Sequence, residues 1–270
     1  MDQIHPLDEA IALTPQGEGA WQGRTHAAYG NMVGPFGGTT AAQALNAVLR
    51  HPQRLGEPVA YTVNFAAPVA DGEFLVLARP ARTNRSTQHW IIEVRQADET
   101  VLTATAVTAV RRDTWGATDV AMPEAPRPDD IPRAERPGRV EWVNRYDMRI
   151  IEGSLPTAWD GAVSNSSRTL LWVRDQPQRP LDFSSLTALS DVFFPRVWRR
   201  RAQLTPIGTV SMTIYFHATG TQLQSTGSGW LLAQAQAQAF SKGYFDQTAQ
   251  LWNEAGDLLV TTQQIVYYKE

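Results

Sequence analysis

Asp191 is the residue in this sequence whose setting most suggests chemistry. It stands in Ala188-Leu189-Ser190-Asp191-Val192-Phe193-Phe194, a carboxylate among apolar neighbours. Burying such a group costs several kcal/mol unless partners satisfy it, so it needs a reason. It is either a buried functional acid or a capping or ion-paired residue. Neutral partners exist further along, among them Thr209 and Gln264. A carboxylate, a hydroxyl and an amide can together hold and polarise one water without a covalent intermediate. The pair Gly37-Gly38 precedes an apolar helical stretch. Backbone N–H groups there could receive a carbonyl oxygen or a phosphate, and a tight turn into the helix is an equal reading.

Other chemistries are poorly supplied. The chain has 270 residues and no cysteine, which excludes a disulfide scaffold, an Fe–S cluster and a cysteine nucleophile. Ser228 in Thr226-Gly227-Ser228-Gly229 lacks the first glycine of a nucleophile elbow. The five histidines are scattered without metal-ligand spacing, so no metal and no cofactor is expected. Lys and Arg number 24 against 27 Asp and Glu, a net charge of −3, too balanced for a nucleic-acid partner. No apolar run approaches the roughly 20 residues of a membrane span. The N-terminus has neither the basic region nor the apolar core of a signal peptide, so a cytoplasmic location is expected.

The elements that must position these residues fall into two similar runs. Five of the 17 prolines lie between Pro123 and Pro137, which reads as a linker. Before it, residues 39–49 predict a helix with Ala41, Leu45, Val48 and Leu49 on one face. Strands follow over 60–65, 74–78, 89–94 and 101–110. After it, Asp182 is a candidate N-cap for a helix carrying Leu186, Leu189 and Val192, which Pro195 should end or kink. Strands follow over 209–216, 232–240, 244–252 and 258–268. The strand at 232–240 is read from strict alternation of Ala with Gln. Phe65 then corresponds to Phe216, and Asp98 to Ala255. A helix and a meander of long strands, twice, predicts an α+β fold. The division is 1–115, a linker over 116–140, and 141–270.

The order Met32-Val33-Gly34-Pro35-Phe36-Gly37-Gly38, Val63-Asn64-Phe65-Ala66-Ala67-Pro68, Ser190-Asp191 and Tyr215-Phe216-His217 resembles the acyl-CoA thioesterase II (TesB-like) family. The resemblance runs from about Trp21 to Tyr268. It implies a double hotdog fold: two tandem units, each a central helix wrapped by a long antiparallel sheet. It implies hydrolysis of an acyl-CoA thioester by an activated water. The family's Asp, Thr and Gln fall on Asp191, Thr209 and Gln264, with Gln263 an adjacent rival because a one-residue slip swaps faces. Gly37, Gly38 and Thr39 take the substrate-binding positions, with a backbone N–H near Gly38 as oxyanion donor. Family members often carry Gln where Thr39 stands, and more polar residues at Ser211-Met212, so substrate choice is the property these departures bear on. The basic run Arg196-Val197-Trp198-Arg199-Arg200-Arg201 is a solvated surface segment or a landing site for CoA phosphates. Hotdog proteins commonly assemble further, which makes a homodimer a candidate assembly. Two other readings are a non-catalytic acyl-CoA-binding module and an enoyl-CoA hydratase. Related hydratases tend to place a His where Arg196 stands.

Overall fold

A computed structural model of the chain describes residues 4–134 and 140–270. The part of the expected linker over 135–139 lies outside the described residues. The chain opens with α1 (Pro6–Ala10), β1 (Thr14–Gly17) and β2 (Ala20–Arg24), then α2 (Gly37–Leu49). A meander follows: β3 (Glu57–Phe65), β4 (Glu73–Thr83), β5 (Thr87–Gln96) and β6 (Glu99–Ala109). The second half holds β7 (Tyr146–Glu152), β8 (Thr169–Asp175), α3 (Phe183–Leu189) and α4 (Arg196–Arg201). It ends with β9 (Ile207–Phe216), α5 (Gly220–Thr226), β10 (Leu231–Gln236), β11 (Phe240–Ser241), β12 (Tyr244–Asn253) and β13 (Leu258–Tyr268).

Among the described residues all thirteen strands join one antiparallel sheet, ordered β1-β2-β4-β5-β6-β3-β9-β13-β12-β10-β8-β7, with β11 beside β12. Read inward from either edge the order is the same, and the halves meet at β3 and β9. There Thr62 lies opposite Thr213, their hydroxyls 3.0 Å apart. The spacing that separates Phe65 from Phe216 also separates Thr62 from Thr213, so each threonine faces its own counterpart. The architecture is α+β, with α2 and α3 packed on the inner face.

Alternation of burial fixes which side chains face the helices. Met212, Ile214 and Phe216 of β9 and Tyr61 and Val63 of β3 point inward, while Tyr215 is exposed. α2 is rich in small residues. Ala41, Ala42, Ala44 and Ala47 are fully buried, which lets α2 lie close to both sheet and α3.

Three expectations need correction. The helix beginning after Asp182 does use that residue as its cap, through Ser185 N at 2.8 Å. It stops at Leu189, however, so Asp191 and Val192 lie beyond its end. The chain tightens there through Asp191 N to Ala188 O at 3.2 Å and Val192 N to Leu189 O at 3.4 Å. Pro195 begins α4 instead of ending α3. The alternating Ala/Gln strand ends at Gln236 because the next amides find side-chain acceptors. Ala237 N donates to Ser167 Oγ, and Gln238 N and Ala239 N both donate to Asp246 Oδ1.

The proline-rich stretch is also more than a tether. Met122, Ala125 and Ile131 pack on Trp172 and Trp230, and Trp172 Nε1 donates to Pro126 O at 2.8 Å. Among the described residues its regular structure is one short turn, Pro128–Asp130.

The α2–α3 crossing tolerates no side chain at Gly38. A Cβ there would lie 2.6 Å from Ala188 O and 2.7 Å from the Phe36 ring. Gly38→Ala should lower stability by about 1–3 kcal/mol through overpacking. The measurement is the urea midpoint at unchanged m-value, and an unmoved midpoint would contradict this packing.

Candidate active site

Asp191 leaves the end of α3 and arrives at the start of α2. Phe36, the N-cap of α2, offers no side-chain oxygen, so the first-turn amides lack a local cap. The Asp191 carboxylate takes that place from across the crossing. A Cβ on Gly37 would sit 3.0 Å from Asp191 Oδ2, and the Gly38 amide favours the charged carboxylate. Gln264, on β13, donates from Nε2 to Asp191 Oδ1 at 2.8 Å. The same nitrogen reaches Met212 Sδ at 3.4 Å. Both its hydrogens are therefore engaged, and Gln264 Oε1 is left as an acceptor.

Burial is the largest influence on Asp191 and raises its carboxyl to about 7; Gln264 and the Gly38 amide pull the other way. The group is thus a carboxylate that can take a proton near neutral pH.

The expected site residues fall out as follows. Gln264 is buried and Gln263 is exposed, so the two adjacent glutamines are separated by the pleat. Thr209 pairs with Val266, a buried inward residue two positions from Gln264. A register shift between Ile265 and Val266 places Thr209 on the inner face although its number is odd and Met212's is even. Among the described residues no hydrogen bond joins Thr209 to Asp191 or Gln264. Gly37 and Gly38 form the first turn of α2, against the carboxylate. Thr39 is buried in the same turn, its side chain beside the Tyr146 hydroxyl.

Residues that the sequence did not single out close the site from below. Phe36 stacks on Trp142 at 4.3 Å and 7°, and Tyr146 stands edge-on to both. The basic run is mostly committed elsewhere. Arg196 is fully buried, donating to Phe194 O, Ser167 O and Thr169 Oγ1. Arg200 holds Ser164 O and Arg201 pairs with Glu270. A groove of about 690 Å³ opens beside the Gly34–Pro35 turn that leads into α2, with Arg24, His26 and Asn31 on its walls.

Comparison with known proteins defines the class first. A structure from Alicyclobacillus acidocaldarius, described as a conserved protein of unknown function with hotdog fold, is similar at 46% identity and TM-score 0.94, covering 99% of each chain. The tesB protein of Mycobacterium avium subspecies paratuberculosis shares the fold at 20% identity and TM-score 0.78, with 98% of both chains covered. An acyl-CoA thioesterase II from Mycobacterium marinum does so at 17% and 0.75, over 97% of this chain and 98% of that one. Among curated proteins no sequence relative matches. Residues 26–109 match the acyl-CoA thioesterase N-terminal domain, and residues 119–268 match the acyl-CoA thioesterase C-terminal domain. The chain belongs to the acyl-CoA thioesterase family, whose members are thioester hydrolases.

The raised carboxyl has a consequence for stability. Its folded value near 7 lies above its ordinary 3.8, so the contribution from Asp191 is fully present below about pH 4 and is lost as pH rises through 7. Asp191→Asn removes that loss. The variant should melt at a higher temperature than wild type at pH 8, with the gap closing toward pH 4. A gap independent of pH would contradict the assignment.

Proposed function

We propose that Asp191, Thr209 and Gln264 orient and activate the water that hydrolyses the acyl-CoA thioester. The single observation that carries this reading is the Gln264–Asp191 bond at 2.8 Å, formed where the Asp191 carboxylate meets the start of α2. The water oxygen bonds to the thioester carbonyl carbon while one of its protons passes to Asp191. The Gly38 amide serves the Asp191 carboxylate, so the neighbouring Gly37 amide is the donor assigned to the oxyanion. The C–S bond then breaks, the acid is released, and the CoA sulfur leaves as the thiol with that proton. Gln264 Oε1 and the Thr209 hydroxyl supply acceptors that hold the water, and Thr39 borders the acyl group.

The repeated strand order supports a double hotdog, with units over 1–115 and 141–270 joined through 116–140. Cytoplasmic lipid metabolism is the setting this reading implies, and a homodimer is its candidate assembly. No helix among the described residues is long and apolar enough to cross a membrane. The hydratase reading is disfavoured by Arg196, whose guanidinium is spent on carbonyl oxygens and a hydroxyl. The non-catalytic binding module is disfavoured by the Asp191–Gln264 pairing, which binding of an acyl chain alone does not require.

Steady-state hydrolysis across a thioester panel from acetyl to palmitoyl and aromatic acyl-CoA checks the reading. Asp191→Asn should lower kcat/KM by roughly 10²–10⁴-fold, the usual loss for a positioned base. Gln264→Ala should be strongly impaired and Gln263→Ala close to wild type. Equal kcat/KM for wild type and Asp191→Asn would sink the proposal.

A further inference from the structure

The inner face of the sheet carries a second amide beside the site. In register, Met212 of β9, Gln264 of β13 and Gln247 of β12 lie side by side in one row. Gln247 is 3% exposed and faces inward with Phe245 and Ala249, while the half-buried Asp246 and Thr248 turn to the other face. Paired side chains on neighbouring strands leave the backbone about 4.5–5.5 Å apart at Cβ. Met212 closes one flank of Gln264, taking a hydrogen of its Nε2, and Gln247 stands on the other flank.

Unlike Gln264, Gln247 is not tied down. Among the described residues no hydrogen bond reaches either end of its amide. Diagonally across the strand pair, Thr262 is 2% exposed, and its Oγ1 is buried without a hydrogen-bond partner. Phe245 and Ala249, on either side of Gln247 along β12, have no polar side-chain atom to offer. An apolar residue would cover this face at no cost. Buried polar groups left unpaired are costly, and each such exception calls for a reason.

The acyl group supplies one, because it lies on the right flank. Thr39, which borders the acyl group in the proposed reaction, has its side chain beside the Tyr146 hydroxyl. Tyr146 belongs to β7, and the sheet runs β13-β12-β10-β8-β7. Gln247 and the Thr39 wall are therefore on the same side of Gln264, away from Met212. Neighbouring strands are about 4.8 Å apart. An oxygen on the third acyl carbon is three bonds from the carbonyl carbon, and a hydrogen bond of about 2.9 Å completes the reach to the next strand. A plain alkyl chain in the same place strips water from the amide and returns no hydrogen bond.

We propose that Gln247 is a specificity-determining residue whose side-chain amide receives a hydroxyl or oxo group on the third carbon of the acyl chain, so that the substrates are 3-oxygenated acyl-CoA thioesters. The inference rests on the reading of Asp191 and Gln264 as the hydrolytic site and names the substrate class of that site. Nε2 donates to an oxo or hydroxyl oxygen, and Oε1 accepts from a hydroxyl.

The test is kcat/KM for butyryl-CoA, 3-hydroxybutyryl-CoA and 3-oxobutyryl-CoA, which share one chain length, with wild type, Gln247→Leu and Asp191→Asn. Wild type should favour at least one oxygenated substrate over butyryl-CoA by about 10–100-fold, the usual consequence of pairing one buried polar group. Gln247→Leu replaces the amide by an apolar group on an apolar face. It should bring that ratio close to unity and keep butyryl-CoA hydrolysis. Equal kcat/KM on all three substrates in wild type overturns the proposal, whether or not the variant folds. A preference that survives Gln247→Leu overturns it as well. So does a loss by the same factor on all three substrates, which would make Gln247 a positioning residue for the water. Asp191→Asn matching wild type on every substrate would count against the base alone and leave the Gln247 preference standing, so the two readings fail separately.

Discussion

The fold and the proposed chemistry both depend on one contact, the Asp191 carboxylate seated against the glycine start of α2. Three costs meet there. The carboxylate is drawn out of water, the first turn of α2 has no local cap, and two helices approach without side chains between them. Each answers another. The carboxylate serves the open helix end, the helix end favours the charge, and Gly37 and Gly38 make room for it. Burial still outweighs these aids and leaves the group near neutrality, where a base can both accept and return a proton.

The sheet repeats, but the polar set does not. The strand register carries the Thr62–Thr213 correspondence to the neighbouring positions. Met212 faces Gln264 in one half, and its counterpart Tyr61 faces Ala106 in the other. Thr209 stands before one register shift and Pro58 before the matching one. At both places a residue capable of hydrogen bonding is matched by one whose side chain is not. Tyr61 turns its hydroxyl to Ala41 O at 3.0 Å and helps fill the core. A repeated scaffold thus supports chemistry on one side and packing on the other.

Much of this was legible in the sequence. The strands expected over 244–252 and 258–268 are observed as β12 and β13 with bounds that differ by at most one residue. Asp182 was legible as a cap because an oxygen-bearing side chain before an apolar helical run has few other uses. Other features were not. β7 and β8 escaped notice because the strap from Met122 to Ile131 covers one side, so Leu170 and Trp172 are apolar where an outer face would be polar. Asp246 ended β10 by capping two amides from a different strand, an event that alternation cannot show. Thr209 reaches the inner face only through a bulge, which breaks the parity that period-two reasoning relies on. The aromatic floor of Phe36, Trp142 and Tyr146 assembles from segments about a hundred residues apart.

The central claim is that water, activated by Asp191, attacks the thioester directly. A single turnover in H₂¹⁸O, with enzyme in excess over an acyl-CoA, tests it most directly. Direct attack predicts one ¹⁸O in the released carboxylic acid and none in the protein. Attack by the Asp191 carboxylate, followed by water opening the resulting anhydride at the Asp191 carbonyl, would instead leave ¹⁸O in the peptide containing Asp191 and unlabelled oxygen in the acid. That result would contradict the account.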